Sequence, residues 1–262
     1  MKIKLFQVDA FAANVFEGNP AAVCPLDDWL PDVLLQKIAE ENNLSETAFF
    51  VLTDTEITLR WFTPKAEVDL CGHATLAAAH VLFQHLAYGK SEISFQTKSG
   101  ELVVSKTDSG YAMDFPASVL TPVEPPADLL LGLGGIKPLA VYADFDYVVV
   151  LDNEQVVRKL TPQFVSWLNL DLRGVVVTAI ADDENTDFVS RCFFPKLDVN
   201  EDPVTGSAHC ELAPYWAKQL NNSKLIGKQL SSRSGLMGCE LIGDRVMLTG
   251  GAKDYLQGVI II

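Results

Sequence analysis

Glu46 stands in Asn43-Leu44-Ser45-Glu46-Thr47-Ala48-Phe49-Phe50, at the head of an apolar stretch. A carboxyl group beside an apolar strand can be partly buried, and burial raises its proton affinity toward the range of general acid–base work. The alternative, an ordinary exposed glutamate before a strand, is the one that spacing alone favours. Two further groups of reactive side chains lie at glycines that lead into helical sequence. Cys71-Gly72-His73-Ala74-Thr75 offers a thiol and an imidazole; Asp202-Pro203-Val204-Thr205-Gly206-Ser207 offers a carboxylate and two hydroxyls. A thiol beside a helix N-terminus has its thiolate favoured, so Cys71 is a candidate nucleophile or base, with a small buried residue as the alternative. His73 suits an acid–base group, a donor to substrate or a helix-start residue, and Asp202 a functional carboxylate or simply a cap. Gly72 and Gly206 either let a ligand approach the backbone or only make turns. No metal site is expected: Cys71 with His73, and His209 with Cys210, are too sparse a ligand set, and no CxxC pair is present. The chain has no P-loop, G-x-G-x-x-G unit or G-x-S-x-G elbow.

The elements that must position these residues repeat. An offset of 131 relates Pro31 to Pro162, Thr47 to Thr178, Ala48 to Ala179, Arg60 to Arg191, Phe62 to Phe193, Pro64 to Pro195 and Lys65 to Lys196. The offset becomes 134 at Gly72/Gly206, Ala74/Ala208 and Ala79/Ala213, and 135 at Ser99/Ser234 and Gly100/Gly235. An ordered series whose offset changes only at loops implies internal duplication. Each copy reads as a helix opened by proline (Pro31; Pro162 behind the cap Thr161), then strands, then a helix entered at the glycine. Glu56–Trp61 alternates with period two, as a strand does, and Ser94–Thr97 and Leu102–Val104 read likewise. The helix from His73 to about Leu86 is apolar or small on every side and therefore buried. Its partner, Ser207 to about Leu220, contains Pro214, which predicts a kink or an early break. The fold class is α/β (α+β), with each lobe a curled sheet around one central helix. The lobes are expected at 1–118 and 119–262, linked through the Pro-rich stretch 121–126, with the extreme C-terminus packing back on the first lobe. Two helix N-termini facing one cleft would suit a carboxylate or oxyanion.

Differences between the copies carry more chemistry than the similarities. At offset 131 Glu46 matches Val177, so only one copy has the carboxylate. A three-residue insertion before Gly206 brings in Glu201 and Asp202. At offset 134 Cys71 matches Thr205 and His73 matches Ser207.

The formal charge of −14 opposes nucleic acid and anionic membrane surfaces, though a local site for a small anion is compatible with it. No apolar run reaches the roughly 18 residues of a membrane span, and the strand-like N-terminus has no signal-peptide h-region, so a cytoplasmic location is expected. The five cysteines are odd in number and scattered, and are expected as free thiols.

The chain resembles the phenazine-biosynthesis PhzF-like family of the diaminopimelate epimerase-like superfamily. The motifs are Gln7-Val8-Asp9-Ala10-Phe11, Gly18-Asn19-Pro20-Ala21-Ala22-Val23, Ser45–Phe49, Phe62-Thr63-Pro64, Cys71–Thr75 and Asp202–Ala208, spread over essentially the whole chain. The resemblance implies two similar lobes with the site between them, no cofactor, a small anionic metabolite as partner, and a homodimer. It implies a carbon-to-carbon proton shuttle, with Glu46 as base and then acid. His73, Asp202 and Ser207 would orient the substrate, Gly72 and Gly206 would hold its carboxylate, and Asn19 and Thr205 would adjoin it. The superfamily's racemases use two opposed cysteines, and here Cys71 fills one place while Thr205 fills the other. A threonine hydroxyl cannot readily replace a thiolate near neutral pH, so an amino-acid racemase using Cys71 is the second reading. A non-catalytic ligand-binding or protein-binding role is the third.

Overall fold

The computed structural model describes residues 1–262. The chain divides into two compact units, Met1–Asp114 with Thr249–Ile262, and Phe115–Leu248. In order, the elements up to the first boundary are β1 (Lys2–Ala10), β2 (Asn19–Leu26), α1 (Asp32–Asn42), β3 (Glu46–Leu52), β4 (Ile57–Phe62), β5 (Glu67–Val68), α2 (Gly72–His85), β6 (Glu92–Thr97), β7 (Gly100–Thr107) and β8 (Gly110–Pro116). There follow β9 (Thr121–Pro122), α3 (Ala127–Gly132), β10 (Ala140–Ala143), β11 (Tyr147–Val150), α4 (Glu154–Lys159), α5 (Phe164–Trp167), β12 (Val175–Ile180), β13 (Phe188–Phe194), a 3₁₀ turn (Pro195–Leu197) and β14 (Val199–Asp202). The chain ends with α6 (Gly206–Leu220), β15 (Lys224–Gln229), β16 (Gly235–Ile242), β17 (Arg245–Gly250) and β18 (Ala252–Ile261).

Both units use one strand order. In the first, β1 runs antiparallel to β2, β2 parallel to β3, β3 antiparallel to β4, β4 parallel to β6 and β6 antiparallel to β7. In the second the same sequence of pairings joins β10, β11, β12, β13, β15 and β16. The parallel step from β4 to β6 crosses over through α2, and that from β13 to β15 through α6. Sequence duplication is therefore duplication of topology. The paired ions agree: Arg60 forks onto Glu67 from the neighbouring strand, and Arg191 forks onto Glu201 in the same way.

The ladders correct two details of the sequence alignment. The first hairpin has four loop residues between Leu52 and Ile57; the second has seven between Ile180 and Phe188. Fixing β4 on β13 at offset 131 therefore sets β3 on β12 at 128, because three extra residues sit in the second loop. Glu46 corresponds to Gly174, and the Thr47/Thr178 and Ala48/Ala179 matches are coincidences. Glu201 is likewise the counterpart of Glu67, so the other insertion lies in the turn containing Pro195–Leu197, and Asp202 replaces Val68 on an equivalent strand.

Every residue of α2 from His73 to Phe83 is buried, as its all-round apolar sequence requires. Burying a Leu, Val or Phe side chain of that stretch contributes about 1.5–3 kcal/mol, so the helix is anchored by its sheet more than by its own propensity. The helix α6 does not break at Pro214; it continues to Leu220. Proline removes the N–H that would bond to the carbonyl of Cys210, and the Ser118 N–H takes that carbonyl at 3.1 Å. Pro31 caps α1 from just outside it, and Pro162 opens no helix: α5 begins at Phe164 and has four residues. Within 121–126, Thr121 and Pro122 pair with Ala143 and Tyr142 as a strand of the second unit, so that stretch is no linker. No helix is long and apolar enough to cross a membrane.

Candidate active site

In the first unit, the loop after α1 ends in β3, whose first residue is Glu46, and β3 lies parallel to β2 with Ala21 beside Glu46. Asn19, the first residue of β2, is buried and accepts a hydrogen bond from Ser45 Oγ at 3.1 Å. Cys71 is the extended residue just before α2 and makes no side-chain cap, so the first-turn N–H groups at Gly72 and His73 have no intrahelical acceptor. His73 points back to its neighbours: Nε2 lies 3.0 Å from Glu46 Oε2, and Nδ1 lies 3.6 Å from Cys71 Sγ. The strand start and the helix start thus bring Glu46, Cys71 and His73 together.

The electrostatics of this trio are uneven. Burial pushes the Cys71 thiol up to about 11, helped by the Glu46 charge; the expected thiolate at a helix N-terminus does not form because desolvation outweighs the dipole. Burial opposes a charge on His73, but Cys71 and Glu46 outweigh it and hold the imidazolium well above its ordinary pKa. The Glu46 side chain is 18% exposed, which leaves it open to a small molecule. Its buried Oε2 faces the imidazole at 3.0 Å, off the line of a well-aligned hydrogen bond. Ligand atoms of the three residues lie within 4.8 Å of one another.

In the second unit, Asp202 ends β14 and Thr205 is the extended residue before α6, with backbone angles close to those of Cys71. The Thr205 hydroxyl donates to Asp202, and the buried Gln229 braces the turn, accepting from the Thr205 N–H at 2.9 Å and donating to the Asp202 carbonyl at 2.8 Å. Gly206 has no left-handed backbone, and a Cβ there would meet only Leu248 Cδ1 at an ordinary 3.7 Å. The fold itself places no demand for glycine at that position. Ser207 Oγ accepts from Arg173 Nη2 at 3.0 Å, and Arg173 forks onto the fully buried Asp146. Below that pair Glu211 Oε1 accepts from the Asp146 N–H at 3.1 Å. Burial, with the Asp146 charge second, raises Glu211 to about 9, so it is a neutral acid at pH 7.

The phenazine biosynthesis-like protein family, PhzC-PhzF, matches residues 8–258 of the chain. The chain belongs to this family. An uncharacterized isomerase of Pseudomonas aeruginosa is 51% identical over 260 residues, covering 99% of each chain. A crystal structure of a PhzF-family phenazine biosynthesis protein from Enterococcus faecalis is similar with a TM-score of 0.96 and 46% identity over 100% of both chains. A hydroxyproline epimerase of Agrobacterium vitis has a TM-score of 0.60 at 9% identity, over 99% of this chain and 92% of its own, and shows the fold alone. The fold is that of the diaminopimelate epimerase-like proteins, and this PhzF-family chain is an enzyme of the isomerase class.

Sequence reasoning missed Ser45, Asp146, Arg173, Glu211 and Gln229. Arg173 has a signal only once the ladders are known. The corrected offset of 128 aligns it with Ser45, one residue before Gly174 and Glu46 respectively, so both precede the same strand. The others come from separate elements and have no shared spacing to read.

Proposed function

We propose that the chain is a cofactor-independent isomerase that moves a proton between carbons of a small, cyclic, carboxylate-bearing substrate, with Glu46 as base and then acid. The observation that carries this reading is Glu46 itself: its side chain is 18% exposed, and its buried Oε2 lies 3.0 Å from His73 Nε2. An ionised carboxylate so placed takes a proton from an acidic carbon, and His73 stabilises the ionised form at the beginning and end of the cycle. Returning the proton to a different carbon completes an isomerisation with no net change in charge. The first-turn N–H groups of α2 are suited to the substrate carboxylate. Asp202 and Ser207, with Thr205, Gly206 and Asn19, are assigned to orienting the substrate on their positions in the family motifs. A thiol-based racemase is disfavoured by the raised Cys71 and by Thr205, whose hydroxyl is already given to Asp202.

The test compares wild type with Glu46→Gln in deuterated solvent. Wild type is expected to wash deuterium into a carbon position of one component of a metabolite pool, and the variant to lose this while still being stabilised against heat by that component. Deuterium exchange at the wild-type rate in Glu46→Gln would remove Glu46 from the mechanism.

A further inference from the structure

The other end of α2 carries a second cluster of chemically active side chains, and it shares no residue with Glu46, Cys71 and His73. His80 Nε2 lies 3.2 Å and His85 Nε2 2.9 Å from the same atom, Asp254 Oδ1 on β18. We propose that His80, His85 and Asp254 form a binding site for a divalent transition cation, Zn²⁺ by its donor set, which ties the C-terminal strand to the central helix of the first unit.

Three local irregularities build this convergence. Residues five apart do not share a face of a regular α-helix, but the last turn of α2 is widened: the Leu86 N–H reaches back five residues to the Val81 carbonyl. That widening swings His85 toward His80. The chain then leaves through Ala87, whose left-handed φ of 50° directs it away from the cluster. On β18 the register against β1 shifts between Gln7/Leu256 and Val8/Asp254, so Tyr255 is an extra residue, a bulge beside Asp254. Bulges re-aim neighbouring side chains, and here the carboxylate faces both imidazoles.

The chemistry of the donors fits a cation better than it fits the bare cluster. The His80 side chain is nine-tenths buried, and its Nε2 makes no directed hydrogen bond although it faces Asp254. His80 Nδ1 is 2.9 Å from the Tyr111 hydroxyl. In the tautomer that gives the Nδ1 proton to Tyr111, Nε2 presents a lone pair toward the carboxylate, and a positive ion between the two relieves that repulsion. A metal-bound histidine characteristically gives its other ring N–H to such a partner. The three ligand atoms lie within 4.8 Å of one another, and zinc bonds of about 2.0–2.1 Å place tetrahedral ligands roughly 3.3 Å apart. Two imidazoles and one carboxylate are donors for Zn²⁺, with water as the fourth ligand. Asp254 is half exposed, so the ion has a path from solvent.

Zn²⁺ is titrated calorimetrically into the chelator-treated full chain, alongside Asp254→Asn and His85→Gln, both at positions open to solvent. Wild type is expected to bind one Zn²⁺ saturably and to melt at higher temperature with added Zn²⁺. Each variant should lose both effects while melting at the temperature of metal-free wild type, and Tyr111→Phe should weaken binding about 10–100-fold. Co²⁺ bound in place of Zn²⁺ should show ligand-field bands without a sulfur-to-metal charge-transfer band. Absence of saturable binding in wild type, undiminished binding in both variants, or a thiolate charge-transfer band, which would move the ion to Cys71, each overturns the site.

Discussion

Glu211→Gln should stabilise the protein, and by an amount that grows with pH. Glu211 is fully buried under Asp146 and Arg173, and burial raises it from 4.5 to about 9. Below about pH 4.5 the folded and unfolded chains both hold its proton, and this group adds no pH dependence. Above that pH the unfolded chain releases the proton while the folded chain keeps it, so wild-type stability falls as pH rises, until about pH 9. Each pH unit in this window removes about 1.4 kcal/mol, so at pH 7 the accumulated loss is on the order of 3 kcal/mol. Glutamine keeps the oxygen that accepts from the Asp146 N–H and has no proton to release. The variant should therefore exceed wild type by an amount near zero at pH 4.5 and about 3 kcal/mol at pH 7. For a chain of this size that corresponds to a melting temperature higher by roughly 6–12 °C. Urea unfolding of both proteins from pH 5 to 8 measures it, since the acidic groups remote from Asp146 cancel in the difference. Parallel stability profiles for the two proteins would refute the reasoning.

Two further predictions rest on the same physical terms. Cys71, raised from 9.0 to about 11, has about a hundredfold less thiolate at pH 8 than an ordinary thiol, so mass spectrometry should find iodoacetamide labelling it at least that much more slowly in the folded chain than after unfolding; labelling faster than in the unfolded chain would restore the thiol mechanism. Arg191→Lys keeps the charge but loses the fork onto Glu201 and the short bond to the Leu160 carbonyl, and should lower stability by about 2–3 kcal/mol, read as a lower urea midpoint with unchanged slope.

The repeated topology was legible because the repeat markers are residues with distinct jobs. Arg60 and Arg191 each fork onto a glutamate of the adjoining strand, and Gly72 and Gly206 each begin the crossover helix. Register in β3 and β12 was not legible, since Thr and Ala recur in strands and two chance matches concealed a loop three residues longer. The local rule for Cys71 failed for a different reason. Sequence shows the helix end that favours a thiolate, but not the burial that opposes it more strongly. His80 and His85 passed unnoticed because five is not a ligand spacing on an ideal helix; only the widened last turn makes it one. The Asp146–Arg173–Ser207 chain joins residues 27 and 34 positions apart, with no periodicity to announce it.

The corrected register strengthens the case for a single carboxylate base. Val177 could in principle be exchanged for glutamate in a strand, but the true counterpart of Glu46 is Gly174. A Cβ at that position would come within 2.3 Å of Phe194 Cδ1 and 2.5 Å of the Phe193 carbonyl oxygen. The second unit has filled with an aromatic ring the space into which a side chain at that position would grow. A glutamate at the position equivalent to Glu46 is therefore excluded by packing as well as by sequence. Asp202, the carboxylate that bonds the residue before the second unit's central helix, stands where the first has Val68, on a different strand from the one that bears Glu46. Racemisation by a symmetric pair of bases needs equivalent groups at equivalent places. This chain has departed from that symmetry at the carboxylate, at the thiol and in the core beneath, which is the pattern expected when one group both removes the proton and returns it.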